Sequence, residues 1–243
     1  MKKHLNPILF SLAIVIAAYI LGQAVINRNQ TNGQIAVTGL GTTNFTSDLI
    51  VWEGSFNAEA RDLKEAYNQL ENSKRIISEY LKGKGVKDSE LVFNAVTSTK
   101  NLENKYSNDG KYVGQEFLGY ILTQSIKIES KNVEIIEKIS REITELLNKG
   151  INFYSQAPRY YYTQLADLKI EMISKATSDA HSRAEKIAVN SGSKLGELKS
   201  AKMGIFQITG QNSGEDYSWG GTFNTSSKKK TANITMKLIY EID

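Results

Sequence analysis

Leu165 to Asn190, LADLKIEMISKATSDAHSRAEKIAVN, followed by Ser191-Gly192-Ser193-Lys194-Leu195-Gly196, is the stretch from which the rest of the chain is best read. Its apolar positions, Leu165, Leu168, Met172, Ala176, Ala180, Ala184, Ile187 and Ala188, recur at three- and four-residue spacing, the period of one helical face. Three of them in a row, Ala176, Ala180 and Ala184, are small, so the helix can approach a neighbouring surface closely and these residues are assigned to structural packing. Glu171/Lys175 and Asp179/Arg183 place an acid four residues before a base on the opposite face. Thr163 can cap the start, and Gly192 can take the left-handed conformation that ends the helix.

Before this helix lie two other soluble helices. Asp62 to Lys82 carries the stripe Leu63, Ala66, Tyr67, Leu70, Ile77 and Leu81, and Asn132 to Asn148 carries Ile136, Ile139, Ile143 and Leu146/Leu147. Strands are expected at Gln34–Gly39, Ser47–Phe56, Leu91–Thr99, Glu116–Glu129, Ile151–Ser155, Lys199–Ile208 and Thr231–Ile242, with Gly39 to Asn44 as a turn and Asn101 to Lys111 polar and flexible. In Glu116–Glu129 the residues Tyr120, Leu122, Gln124, Ile126 and Ile128 share one face. The order β-β-α-β-β-α-β-α-β-β predicts an α+β fold with a mostly antiparallel sheet.

At the N-terminus, Lys2-Lys3 precedes an apolar run, Pro7 to Ile26, of about the 20 residues that cross a bilayer. Basic residues ahead of such a run keep the N-terminus in the cytoplasm and send the rest outside. Gly22-Gln23-Ala24 also offers a small-x-small cleavage site. The expectation is an uncleaved single-pass signal anchor over residues 1–26, contacting the lipid bilayer through 7–26, a linker over 27–33, and one α+β domain over 34–243, periplasmic or extracellular.

Composition narrows the chemistry. The 243-residue chain has no cysteine, which removes disulfides, thiolate metal sites and a catalytic thiol. Net charge is only +4, and the one basic run, Lys228-Lys229-Lys230, fits a solvated loop, so nucleic acid is not an expected partner. His181, with Glu185 one turn on, is the only histidine past the N-terminal segment, too few ligands for a metal site and too few bases for a triad. Gly39-x-Gly41 follows a strand, but Asn44 stands where a dinucleotide loop needs its third glycine and another strand follows where a helix should. The carboxylate pairs Glu134/Glu137 and Asp167/Glu171 read as solvated helix faces. No catalytic, cofactor or metal residue is therefore assigned, and an envelope hydrolase is the less favoured alternative. The Thr209–Lys230 segment, rich in Gly, Ser and Asn, is long for an ordinary loop and is a candidate for function or disorder. Its aromatics Tyr217, Trp219 and Phe223 are the candidate interaction surface, suited to a second subunit, a membrane surface, a peptide or a glycan.

The landmarks in order are Ile35-Ala36-Val37-Thr38-Gly39-Leu40-Gly41, Asp48, Gly119-Tyr120-Ile121-Leu122-Thr123-Gln124-Ser125-Ile126-Lys127-Ile128, Gly150-Ile151-Asn152, Asp179-Ala180-His181-Ser182-Arg183-Ala184-Glu185-Lys186-Ile187-Ala188 and Gly192-Ser193-Lys194-Leu195-Gly196. Together they resemble the SIMPL-domain family of exported bacterial proteins. Leu40 stands where that family usually has an acid, and Ser47 precedes Asp48 where proline is common. The resemblance implies an exported envelope protein, an α+β fold, a tendency to self-assemble and loose links to stress tolerance, with no established catalytic site. The expected function is thus non-enzymatic scaffolding or binding as a homo-oligomer, with a peptide- or glycan-binding module as the alternative.

Overall fold

The computed structural model describes residues 5–29, 33–216 and 218–242, the first segment with side chains from residue 10 to residue 25. Its helices are α1 (Leu5–Asn29), α2 (Leu63–Gly83), α3 (Val133–Glu142) and α4 (Leu165–Asn190). Its strands are β1 (Gln34–Thr46), β2 (Leu49–Ala60), β3 (Leu91–Phe93), β4 (Thr97–Tyr106), β5 (Tyr112–Ser130), β6 (Phe153–Ser155), β7 (Arg159–Tyr161), β8 (Leu195–Met203), β9 (Gln207–Gly210) and β10 (Lys229–Ile242). The α+β class stands, while the element order differs from the expected one: the strand expected over Leu91–Thr99 is β3 and β4, the one expected over Lys199–Ile208 is β8 and β9, and β7 is added before α4. The chain divides into two compact units, residues 1–42, 171–205 and 234–243 in one, residues 43–170 and 206–233 in the other.

Among the described residues no helix is long and apolar enough to cross a membrane, which corrects the transmembrane helix expected over residues 7–26. Ser11 and Gly22 bound the uninterrupted apolar run, and Leu12 to Leu21 is only 10 residues. At 1.5 Å per residue that is about 15 Å, half of the roughly 30 Å hydrocarbon core. Of the expected 27–33 linker, residues 30–32 lie outside the described residues.

The first unit places most of α4 against a sheet ordered β1-β10-β8. Ile35 and Val37 of β1, Ile234, Met236, Leu238 and Tyr240 of β10, and Met172, Ala176, Ala180, Ala184 and Ala188 of α4 are buried. The glycines of β1 explain the alanine row. A Cβ on Gly39 would overlap the Ala176 carbonyl oxygen and stand 2.7 Å from Ala180 Cβ; one on Gly41 would overlap the Met172 carbonyl oxygen. Strand backbone thus rests on helix backbone, which only small residues on both sides allow. This corrects the turn expected at Gly39–Asn44. Those residues continue β1 in in-out alternation, and the strand ends instead at Thr46. Asp179 accepts a 2.8 Å hydrogen bond from the Leu40 amide and pairs with Arg183 at 2.9 Å; the amide first, then the guanidinium, holds its carboxyl below the usual range. Ile187, expected in the buried stripe, is exposed. Gly192, at φ +77°, closes α4 while Ser193 N bonds Ala188 O and Gly192 N bonds Val189 O, a Schellman motif. The strand expected at Lys199–Ile208 is β8 and β9, parted at Gly204, where a Cβ would overlap Thr235 Oγ1.

The second unit is built on an antiparallel sheet ordered β3-β5-β2-β6, with β4 also on β5 and β7 also on β2. β2 and β5 pair from Ile50↔Ser130 to Ala60↔Tyr120. Trp52 and Phe56 of β2 and Leu122, Ile126 and Ile128 of β5 meet Ala66, Leu70, Ile77 and Leu81 of α2 and Ile136 and Ile139 of α3 in one core. Asp62 caps α2 by accepting from Lys64 N and Glu65 N at 2.9 and 3.1 Å. The second expected helix turns 3-10 at Ile143, where buried Ile143 and Leu146 fall at the three-residue repeat of that helix, and it ends at Gly150 with φ +73°. The strand expected over Leu91–Thr99 is broken: Asn94 N bonds Ser125 O, and buried Gln124 donates to Asn94 O at 2.8 Å. Beyond the break the chain runs as β4 into a tight turn closed by Ser107 N to Lys111 O, so the expected flexible stretch Asn101–Lys111 is half of a β-hairpin.

Candidate interaction surfaces

The hairpin of β4 and β5 has two parts. From Tyr120 onward β5 has β2 on its second edge; from Tyr112 to Gly119 it has only β4. The outer part is therefore a two-stranded arm with solvent on both faces. Leu102, Tyr106, Tyr112, Val113, Phe117 and Leu118 are all exposed, Tyr106 at 60% and Val113 at 63%. Such a cluster of large apolar side chains on a projecting ribbon is a feature of contact surfaces.

Register sorts the arm into two faces. Leu102↔Phe117, Asn104↔Gln115 and Tyr106↔Tyr112 share one face; Tyr106 and Tyr112 meet edge-on at 6.0 Å, and Gln115 donates to Asn104 at 3.0 Å. Glu103↔Glu116 and Lys105↔Gly114 lie on the other face. Lys105 reaches Glu116 at 2.8 Å, which raises the lysine and holds the glutamate carboxyl low. Directly opposed Glu103 and Glu116 are unfavourable neighbours, and the single Lys105 serves both. Sequence reading missed the arm because a ribbon wet on both faces has no amphipathic alternation to detect.

The second surface is the segment after β9. It is ordered by polar side chains, most of them buried, rather than by a core. Gln207 accepts from Thr222 N at 2.6 Å and donates to Ser218 O at 2.7 Å. Glu215 accepts from Gly210 N at 2.9 Å and from the Asn224 side chain, while Asn224 accepts from Ser227 N at 2.8 Å. Lys230, buried at the start of β10, donates to Tyr160 O at 2.7 Å and to Asn224 O. Burial pushes its ammonium down to about 8, against a smaller opposing pull from Glu215. On this frame Trp219 stands 96% exposed, and Phe223 is exposed beside a bridge to Ile208. Tyr217, the third expected contact residue, lies outside the described residues.

The same frame corrects the reading of Lys228-Lys229-Lys230 as a solvated run. Lys228 bridges Glu134 and Glu137 at 2.9 and 2.6 Å, and Lys230 is internal; Glu137 is largely enclosed, while Glu134 stays on a solvated face.

His181 is exposed on α4, with Nδ1 3.2 Å from the Tyr240 hydroxyl. Among the described residues no three His, Asp or Glu side chains come together as a metal cluster. An open depression of about 660 Å³ at the β1–β2 turn is lined by Ser47, Asp48, Lys131, Asn132, Glu134 and Thr163 among others. Its carboxylates are already engaged: Asp48 accepts from Thr163 N and Oγ1 at 2.7 and 2.6 Å, and Glu134 holds Lys228. The geometry thus offers contact surfaces more readily than a convergent reactive set.

No curated protein matches the chain. A model of the SIMPL family, described as a protein of unknown function (DUF541), matches residues 35–236, most of the chain, and the chain therefore belongs to that family.

Proposed function

We propose that the chain is a non-catalytic scaffolding or binding protein of the cell envelope that works by self-assembly. The observation that carries this reading is the β4–β5 arm, which exposes six large apolar side chains on a ribbon that contributes nothing to the core of its own unit. Such an arm adds little to a monomer's stability and brings aggregation risk, so the arm is best understood as a contact element. Export is supported by Lys2-Lys3 ahead of the 10-residue apolar run Leu12–Leu21, the size of a secretory signal core of about 7–15 residues. Light scattering on the purified full chain tests the reading: mass rising with concentration to a defined multiple supports it, and a strict monomer throughout contradicts it. Fractionation of the producing cell tests the location, and recovery wholly in the cytosol counts against the envelope.

A second reading, a peptide- or glycan-binding module, is favoured by Trp219, because a fully exposed indole held on an ordered frame is a ready contact group. The chain's other tryptophan, Trp52, is buried, so a ligand-dependent change in emission that disappears in Trp219→Phe reports on this loop. Emission that never responds to cell-wall fragments or peptides removes the second reading.

A further inference from the structure

The outer edge of β4 carries information about what pairs with it. Among the described residues β4 pairs only with β5, so its second edge is open from Thr97 to Tyr106. Natural edge strands are commonly blocked by bulges. Here the register steps from Asn101↔Gly119 to Leu102↔Phe117 and from Lys105↔Gly114 to Tyr106↔Tyr112, so both extra residues, Leu118 and Val113, fall on β5. β4 has no inserted residue, and its open edge keeps an unbroken period of two.

We propose that a second copy of this chain adds to the open edge of β4, antiparallel and two-fold symmetric about Asn104, to form the continuous four-stranded sheet β5-β4-β4-β5. This rests on the assembly reading above and specifies its interface. The register follows from elementary pairing rules. In an antiparallel pair, opposed residues both point their N–H and C=O groups at the partner or both point them away. Opposed residues from two copies of one strand must then be of equal parity, so the two-fold passes through a residue. An axis at Glu103 or at Lys105 sets a charge against its own copy, which is destabilising. An axis at Leu102 opposes Glu103 to Asn101 and Lys105 to Thr99 and pairs no charges. The axis at Asn104 opposes Glu103 to the second copy's Lys105, and Lys105 to its Glu103. The same axis sets Leu102 against the second copy's Tyr106 and Asn104 against Asn104.

Both faces of the resulting sheet are consistent. On the charged face, each unfavourable Glu103/Glu116 pair gains a second lysine beside the one it already shares. On the other face the rows read Phe117, Leu102, Tyr106, Tyr112 across the two copies, with Gln115, Asn104, Asn104, Gln115 between them. Exposed ion pairs contribute little, so register is set by charge while the backbone ladder and the apolar rows supply affinity.

Because the natural chain has no cysteine, disulfide trapping is unambiguous. Asn104→Cys in the full chain should oxidise to a covalent dimer, whereas Thr97→Cys, far from the axis, should stay largely monomeric under the same oxidant. Glu103→Lys should weaken assembly several-fold and Lys105→Glu likewise, while the double swap should restore it. If light scattering shows assembly and Asn104→Cys does not cross-link, the interface inference is overturned and the assembly reading stands. If the full chain stays monomeric at every concentration, both fall. Assembly that is insensitive to both single charge changes also overturns the register.

Discussion

The two halves of β5 belong to one strand, and they differ in what lies along the edge opposite β4 and β3. From Tyr120 to Ser130 that edge is β2, and inward-facing Leu122, Gln124, Ile126 and Ile128 are buried under α2 and α3. From Tyr112 to Gly119 the edge is open, and Val113, Phe117 and Leu118 face solvent. Burial, rather than the strand itself, decides which half holds the unit together: an apolar side chain in the core removes its surface from water, and the same chemistry on the arm does so only when another molecule arrives. The junction is Gly119, where a Cβ would overlap the Ala60 carbonyl oxygen at the end of β2.

The sharpest way to break this contrast is Ile128→Ala, in the covered half. It opens a cavity in the core and is expected to lower unfolding free energy by about 2–5 kcal/mol in denaturant titration; a loss below about 1 kcal/mol would mean the core has been placed in the wrong half. Gly119→Ala, at the junction, should cost about 1–3 kcal/mol by forcing the strands apart at Ala60, read in the same titration. On the arm, Tyr106→Ser should leave the monomer's stability within about 0.5 kcal/mol and yet lower the assembled fraction severely by light scattering. An equal loss of stability at Tyr106 and at Ile128 would erase the distinction between the halves. The smallest expected effect is that of acid on the arm. The folded-state carboxyl of Glu116 lies below its usual value because of Lys105. Its contribution is therefore present above the unfolded-state value of about 4.3 and lost as pH falls through the lower folded value. Hydrogen exchange should show arm amides, and not those of Tyr120–Ser130, losing protection as pH drops below about 4, after correction for the intrinsic exchange rate.

What could be read from the sequence follows the same division. The inward face of β5 was legible because alternation against a core leaves a period of two in the residues themselves. The packing of α4 was half legible. Ala176, Ala180 and Ala184 announce a close approach, but the matching glycines Gly39 and Gly41 look like a turn until the strand is placed on the helix. The arm left no periodic signal, since its polar β4 and apolar β5 residues make sense only as a pair. The segment after β9 was also illegible. Its order depends on Gln207, Glu215, Asn224 and Lys230, whose hydrogen bonds follow no fixed spacing, from 3 residues apart at Asn224/Ser227 to 70 at Lys230/Tyr160, so no local pattern distinguishes such residues from those of a solvated loop. The N-terminal segment misleads for a simpler reason: its overall length suggests a span, while Ser11 and Gly22 limit its uninterrupted apolar run.

On the proposed reading the arm serves assembly and not folding. This is tested most directly by replacing residues 102–118 of the full chain with Asn-Gly, a two-residue turn that closes a hairpin between the paired residues Asn101 and Gly119, and measuring mass by light scattering beside the unaltered chain. The expected result is a folded monomer with a cooperative unfolding transition, next to an unaltered chain that assembles. An arm-less chain that assembles as the unaltered one does, or that fails to fold at all, would contradict it.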